Sequence, residues 1–136
     1  MMNSDLMDTP ELSDDEFDEM MSRLNERESR GKTATTKGAL ALQRLLNLAE
    51  TRNSGQIHSI AQFIGACWNG RRHFNFFDLR ILDTAISDDM LAVLDALRWA
   101  QADIENMVPD GHARVEAVLA LWGMFGNGQH GQFICV

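Results

Sequence analysis

"GQIHSIAQFIGACWNG", residues 55–70, decides how the rest of this 136-residue chain is read. Ile57, Ile60, Ala61, Ile64, Cys67 and Trp68 recur at spacings of three and four. That is the period of a helix, not of a strand, which would alternate residue by residue. The stripe is broad, as in a helix packed centrally rather than along one edge. Ser54 can cap its start, and Asn69-Gly70 stops it. No alternating strand pattern occurs before residue 131.

Working outward, helical patterns continue on both sides. Upstream, "ALALQRLLNLAETR" places Leu42, Leu45, Leu46 and Ala49 on one face, with Leu40 and Leu48 widening it. Before it, "GKTATTKG" (31–38) reads as a linker. Earlier still, "SDDE" is a capping box with Ser13 at the N-cap and Glu16 three residues on. It opens a helix near 13–30, with Phe17, Met20, Met21 and Leu24 in a narrow apolar stripe, and Gly31 is expected to end it. Downstream, Asp78 is placed to cap a short helix through Ile86, and Ser87 with Asp88 and Asp89 to begin another carrying Met90, Leu91, Leu94 and Leu97. "VPDG" (108–111) is a turn, and a last helix runs to about Phe125. The expected fold is all-α: a compact bundle of about five helices over 38–126, an acidic helical arm over 1–37 and a Gly-rich tail over 127–136.

Between two of these helices lies "CWNGRRHFNFFDL" (67–79), dense in aromatic and basic residues. Trp68, Phe74, Phe76 and Phe77 are expected to be anchors that fold the loop back onto the helices, each burying considerable area. Arg71, Arg72 and His73 are expected to form a solvated crest between them. Arginine beside aromatics is also the composition of binding hot spots.

Charge is distributed unevenly. Residues 1–38 carry ten acids against five bases, and residues 39–136 ten against seven. Asp14, Asp15, Glu16, Asp18 and Glu19 form a dense cluster, and none of the first 22 residues is basic. A phosphate-binding surface needs the opposite balance, so direct nucleic-acid binding is not expected. An acidic lead-in points to a solvated arm or a basic partner. The two cysteines lie far apart without ligand spacing, as in a reduced cytoplasmic protein without a disulfide framework or metal site. "AVLALWGMF" (117–125) is the longest apolar stretch and too short to span a bilayer.

Catalytic chemistry lacks a candidate. Asp88 and Asp89 are adjacent, so on a helix they diverge by about 100° instead of converging on one atom. The histidines at 58, 73, 112 and 130 have no partner at ligand spacing, and no phosphate-cradling or nucleophile motif occurs. No cofactor is implied.

"GQIHSIAQFIGACWNG" and "FDLRILDTAISDDMLAVL" together resemble a small uncharacterised domain family of proteobacteria, often carried on plasmids and integrated elements. The shared positions are Gly55, Gln56, Trp68, Asn69, Phe77, Asp78, Leu79, Asp83, Ala85, Ile86, Asp88, Asp89, Met90 and Leu91, with Pro109, Asp110 and Trp122 similar further on. The resemblance covers about residues 40–122 and excludes the acidic arm. Cys67 stands where relatives carry a second tryptophan, and the Arg-Arg-His insert is atypical. The resemblance implies a helical fold and a mobile-element setting, and no reaction.

The functional expectation is therefore a small acidic module that binds a protein partner with a basic surface, through Asp14, Asp15, Glu16, Asp18 and Glu19 and through Arg71, Arg72 and His73. Its concrete form is a phage or mobile-element inhibitor of a host defence complex, such as a CRISPR effector. The alternatives are a helix-turn-helix-like transcriptional or plasmid-maintenance regulator using residues 55–86, and a structural homodimer module.

Overall fold

The computed structural model describes residues 11–123, and the chain divides into two units between Arg30 and Gly31. The expected Gly-rich tail and any part of the last helix beyond Gly123 lie outside the described residues. The described residues form four α-helices: α1 (Asp14–Thr51), α2 (Gly55–Trp68), α3 (Thr84–Trp99) and α4 (Gly111–Leu121). Two short 3-10 helices, Phe76–Arg80 and Ile104–Asn106, punctuate the connections, and no strand occurs among these residues. The described residues are all-helical, with four helices where about five were expected.

In the first unit, residues 14–30 of α1 start as their capping box dictates. The Ser13 backbone N–H donates to Glu16 Oε1 at 3.0 Å, and the Glu16 N–H donates to Ser13 Oγ at 3.1 Å. Two otherwise orphaned donors are satisfied reciprocally, and Asp14, Asp15 and Glu16 lie in the first turn, where the helix dipole favours acids.

The second unit shows why "GKTATTKG" is no linker. The helix runs straight through it, and Gly31, Ala34, Gly38 and Ala41 form a buried stripe at spacings of three and four, while Lys32, Thr33, Thr36 and Lys37 face solvent. The small residues let α1 approach α3 closely. A Cβ on Gly38 would collide with the Ala96 methyl and lie 3.0 Å from the Ala92 carbonyl oxygen. Each glycine costs the helix about 1 kcal/mol relative to alanine, and close packing offsets that cost. Composition suggested a flexible tether; spacing made it an interface.

Beyond the stripe, one hydrophobic core joins Leu42, Leu45 and Leu46 of α1, Ile57, Ile60 and Ile64 of α2, Met90 and Val93 of α3, and Val115 and Leu119 of α4. Phe63, outside the stripe read from the sequence, is 1% exposed and the largest fully buried side chain. Its ring meets Phe74 edge-on, with centroids 5.3 Å apart. Burial pushes the Cys67 thiol up to about 12, so it is a packing residue and not a nucleophile at neutral pH.

Residues 78–91 also depart from expectation. Asp78 starts no helix; it lies inside the Phe76–Arg80 turn, which Asn75 caps by accepting from the Phe77 N–H at 3.0 Å. The following helix begins at Thr84, so Ile86 belongs to α3, and Asp88 and Asp89 sit beyond its first turn. The Asp83 N–H donates to Gln56 Oε1 at 2.8 Å, which ties the start of α3 to the start of α2. Asp89 takes a forked contact from Arg44, with Nη2 to Oδ1 at 2.7 Å and Nε to Oδ2 at 3.0 Å. A cross-helix ion pair, not the helix dipole, explains that carboxylate.

On the α4 side, Arg114 reaches Glu50 through Nε at 2.8 Å, Gln43 through Nη1 at 2.9 Å and Asn47 through Nη2 at 2.9 Å. One guanidinium thus fastens α4 along α1. "VPDG" is the expected turn, closed by the Gly111 N–H to the Val108 carbonyl at 3.1 Å.

Candidate functional site

Loop residues 69–75 are held mainly by turns and not by aromatic burial. Asn69 Oδ1 accepts from the Arg71 N–H at 3.0 Å, as Asn75 does from Phe77, and the Arg72 N–H donates to the Asn69 carbonyl at 2.9 Å. Two asparagines thereby build two local turns on either side of the basic residues. With the backbone so fixed, only part of the aromatic set can face inward.

Trp68 and Phe74 are half-buried against the core, as expected of anchors. Phe76 and Phe77 are not: they are 67% and 70% exposed, and Ile81 is 77% exposed. For Phe77 the reason is the 3-10 geometry of Phe76–Arg80, which brings residues i and i+3 onto one side, whereas Phe76 lies against the Phe74 ring, with centroids 6.0 Å apart. Leu79 and Leu82 take the inward positions, while Phe77 and Arg80 share a face, with the Arg80 guanidinium 5.6 Å from the Phe77 ring centre. Arg71 and His73 are exposed, whereas Arg72 is half-buried, its stem lying over α2 at Gly65. The crest is therefore built of Arg71, His73, Phe76, Phe77, Arg80 and Ile81. Sequence reasoning placed the phenylalanines inside and passed over Ile81. Four aromatics within ten residues of a short connection are more than one small turn can bury, and that was the available signal.

The second candidate surface lies on the first unit. Asp14, Asp15, Glu16, Asp18 and Glu19 are all exposed. Beside them Phe17, Met21 and Leu24, at i, i+4 and i+7, are 49%, 38% and 50% exposed. This helix face carries apolar side chains at core spacing without being buried like a core.

A third cluster lies among Trp68, Glu105, His112 and Glu116. Glu105 Oε1 accepts from Trp68 Nε1 at 2.9 Å and lies 2.7 Å from His112 Nδ1; His112 Nε2 is 3.2 Å from Glu116. The imidazole also meets the Trp68 ring edge-on, with centroids 5.8 Å apart. Its bond to Glu105, followed by the charge of Glu116, raises the His112 pKa, and the bonds from His112 and Trp68 lower that of Glu105. Carboxylates on both ring nitrogens favour the imidazolium. Through these contacts Glu105 of the second 3-10 helix is tied to Trp68 of α2 and His112 of α4. Glu105 was not legible as the partner of His112 because it lies seven residues away in an irregular connection; Glu116, four residues on in the same helix, was the available signal.

Among the described residues no group of three or more histidine, cysteine, aspartate or glutamate side chains could hold a metal ion. No described helix is long and apolar enough to cross a membrane. The connection from α2 to α3 runs from residue 69 to 83, far longer than the three or four residues of a helix-turn-helix.

The model of a family of unknown function, DUF7673, matches residues 39–123, close to the span over which the sequence showed its resemblance. No curated protein and no solved structure matches the chain.

Proposed function

The chain belongs to the DUF7673 family, and from its own surfaces we propose that it is a protein-binding module whose acidic helix docks on a basic protein surface. The observation that carries this reading is the combination on residues 14–24 of five exposed carboxylates with the uncovered Phe17, Met21 and Leu24. Charge alone is the property of a solvated tail. Apolar residues at one-face helical spacing, left in water, are the property of a helix that lays its face into a partner's groove. The acids steer the encounter and exclude acidic competitors, and the apolar stripe supplies the holding energy.

Basic surfaces of this kind line the channels of nucleic-acid-binding complexes. The mobile-element setting implied by the sequence resemblance supports the concrete reading of an inhibitor that occupies such a channel in a host defence complex. The polar groups identified above serve folding or charge display, and the reading needs no reaction.

The test compares the intact chain with two variants in capture experiments on lysate from the encoding cell at low salt. Phe17→Ser/Met21→Ser/Leu24→Ser removes the stripe, and Asp14→Asn/Asp15→Asn/Asp18→Asn removes charge at nearly constant shape. Both are expected to lose the captured protein while keeping the native thermal melt. Capture unchanged in both variants refutes the reading. Any truncation should stop at residue 30, because Gly31 and Ala34 already pack in the second unit.

A further inference from the structure

We propose that the acidic helix of one copy docks on the Arg71–Ile81 crest of a second copy of this chain. The proposal rests on the reading of residues 14–24 as a docking element and names a partner for it. Two uncovered apolar stretches among the described residues are flanked by side chains of opposite charge. One presents Phe17, Met21 and Leu24 among Asp14, Asp15, Glu16, Asp18 and Glu19; the other presents Phe76, Phe77 and Ile81 between Arg71 and Arg80.

The charges on the crest are available for this. Arg44, Arg98 and Arg114 are each engaged by a carboxylate, at 2.7 Å from Asp89, 2.6 Å from Asp95 and 2.8 Å from Glu50. Neither Arg71 nor Arg80 is in an ion pair among the described residues, and Arg80 stacks over an exposed ring, as arginine does in binding hot spots.

Dimensions agree as well. Phe17 to Leu24 spans about 10 Å along an α-helix. Phe76 to Ile81 spans about 10 Å at the rise of a 3-10 helix. The two exposed apolar stretches are thus of similar length. The contact uses different patches on the two copies, so one copy can give its helix and receive its neighbour's. Such a heterologous contact either closes into a pair about a two-fold axis or adds further copies, and sedimentation reads which.

The test is sedimentation velocity of the full chain over a range of protein and salt concentrations, with a charge exchange. In one variant, Asp14→Arg/Asp18→Arg, the helix is reversed; in the other, Arg71→Glu/Arg80→Glu, the crest is reversed. The unaltered chain is expected to sediment as two or more chains at low salt, with the dissociation constant weakened about tenfold or more as salt screens the charges. Each variant alone is expected to sediment as one chain. Their equimolar mixture is expected to recover the pair, because reversed helix meets reversed crest and native helix meets native crest. Phe76→Ser/Phe77→Ser is expected to abolish pairing without changing the melt. An unaltered chain that stays single at every concentration overturns the proposal, as does a pair that neither charge reversal disturbs. If self-pairing is absent while the helix variants still lose captured protein from lysate, only self-docking fails and the protein-binding reading stands.

Discussion

Gly38→Ala is the substitution that separates a packed helix from a linker most sharply. In a flexible linker, or on an exposed helix, alanine would raise stability by about 0.5–1 kcal/mol, by restricting the unfolded chain and favouring the helix. In this structure the added methyl meets the Ala96 Cβ and comes 3.0 Å from the Ala92 carbonyl oxygen, with the Val93 Cα at 3.6 Å. Two of these neighbours are backbone of a packed helix and cannot swing aside, so α1 and α3 must separate. Overpacking of this kind costs about 1–3 kcal/mol. Setting the helix gain against it leaves a net loss centred at about 1 kcal/mol, within a range of about 0–2.5 kcal/mol. Urea denaturation at constant m-value measures it. Two other glycines calibrate the result. A Cβ on Gly31 meets mainly the amide end of the exposed Gln101, which can move, and a Cβ on Gly55 meets nothing within 4 Å. Gly31→Ala should fall near zero, and Gly55→Ala should be neutral or slightly stabilising. Ala96→Gly in the Gly38→Ala background should recover part of the loss, since it removes one of the colliding methyls. A Gly38→Ala protein as stable as Gly55→Ala would refute the close approach of α1 and α3.

Phe63→Ala should lower stability by about 3–5 kcal/mol, whereas Phe77→Ala, at a 70% exposed position, should change it by less than about 0.5 kcal/mol, both read in the same urea titrations. Asp89→Asn should cost about 1 kcal/mol through the lost Arg44 fork, and Asp88→Asn, on an exposed side chain, should lie within about 0.5 kcal/mol of zero; a double-mutant cycle with Arg44→Ala checks that the loss belongs to the pair. The His112 pKa is raised, so its contribution is present below the unfolded value of about 6.5 and is lost as pH rises through the higher folded value; that of Glu105 is lowered, so its contribution is present above the unfolded value of about 4.3 and is lost as pH falls through the lower folded one. The contribution of the pair to stability is therefore full between about pH 4.3 and 6.5, and the stability difference between the intact chain and His112→Gln should shrink on either side of that window, by NMR titration of the imidazole and by melts.

The capping box at Ser13, the buried face of α2 and the turn at 108–111 were legible because each rests on local chemistry: a side chain satisfying nearby backbone donors, an apolar period, a proline-started turn. The acidic cluster was legible for the same reason, since formal charge needs no fold to be counted. The sequence could not determine what faces Gly31 and Gly38. A glycine facing solvent in a tether and one facing a neighbouring segment are the same letter, and only the positions of Gln101 and Trp99 beside Gly31, and of Ala92 and Ala96 beside Gly38, tell them apart. Nor could it divide the aromatic loop into half-buried Phe74 and exposed Phe76 and Phe77, because that division follows from the direction in which two asparagine turns and a 3-10 helix aim the side chains. Asp89 with Arg44, and His112 with Glu105, joined across 45 and 7 residues once the helices had packed. Periodicity and capping settle which segments are helices, because they act within a few residues; which side chains meet, and which remain in water to meet another molecule, is decided by packing between segments distant in the chain.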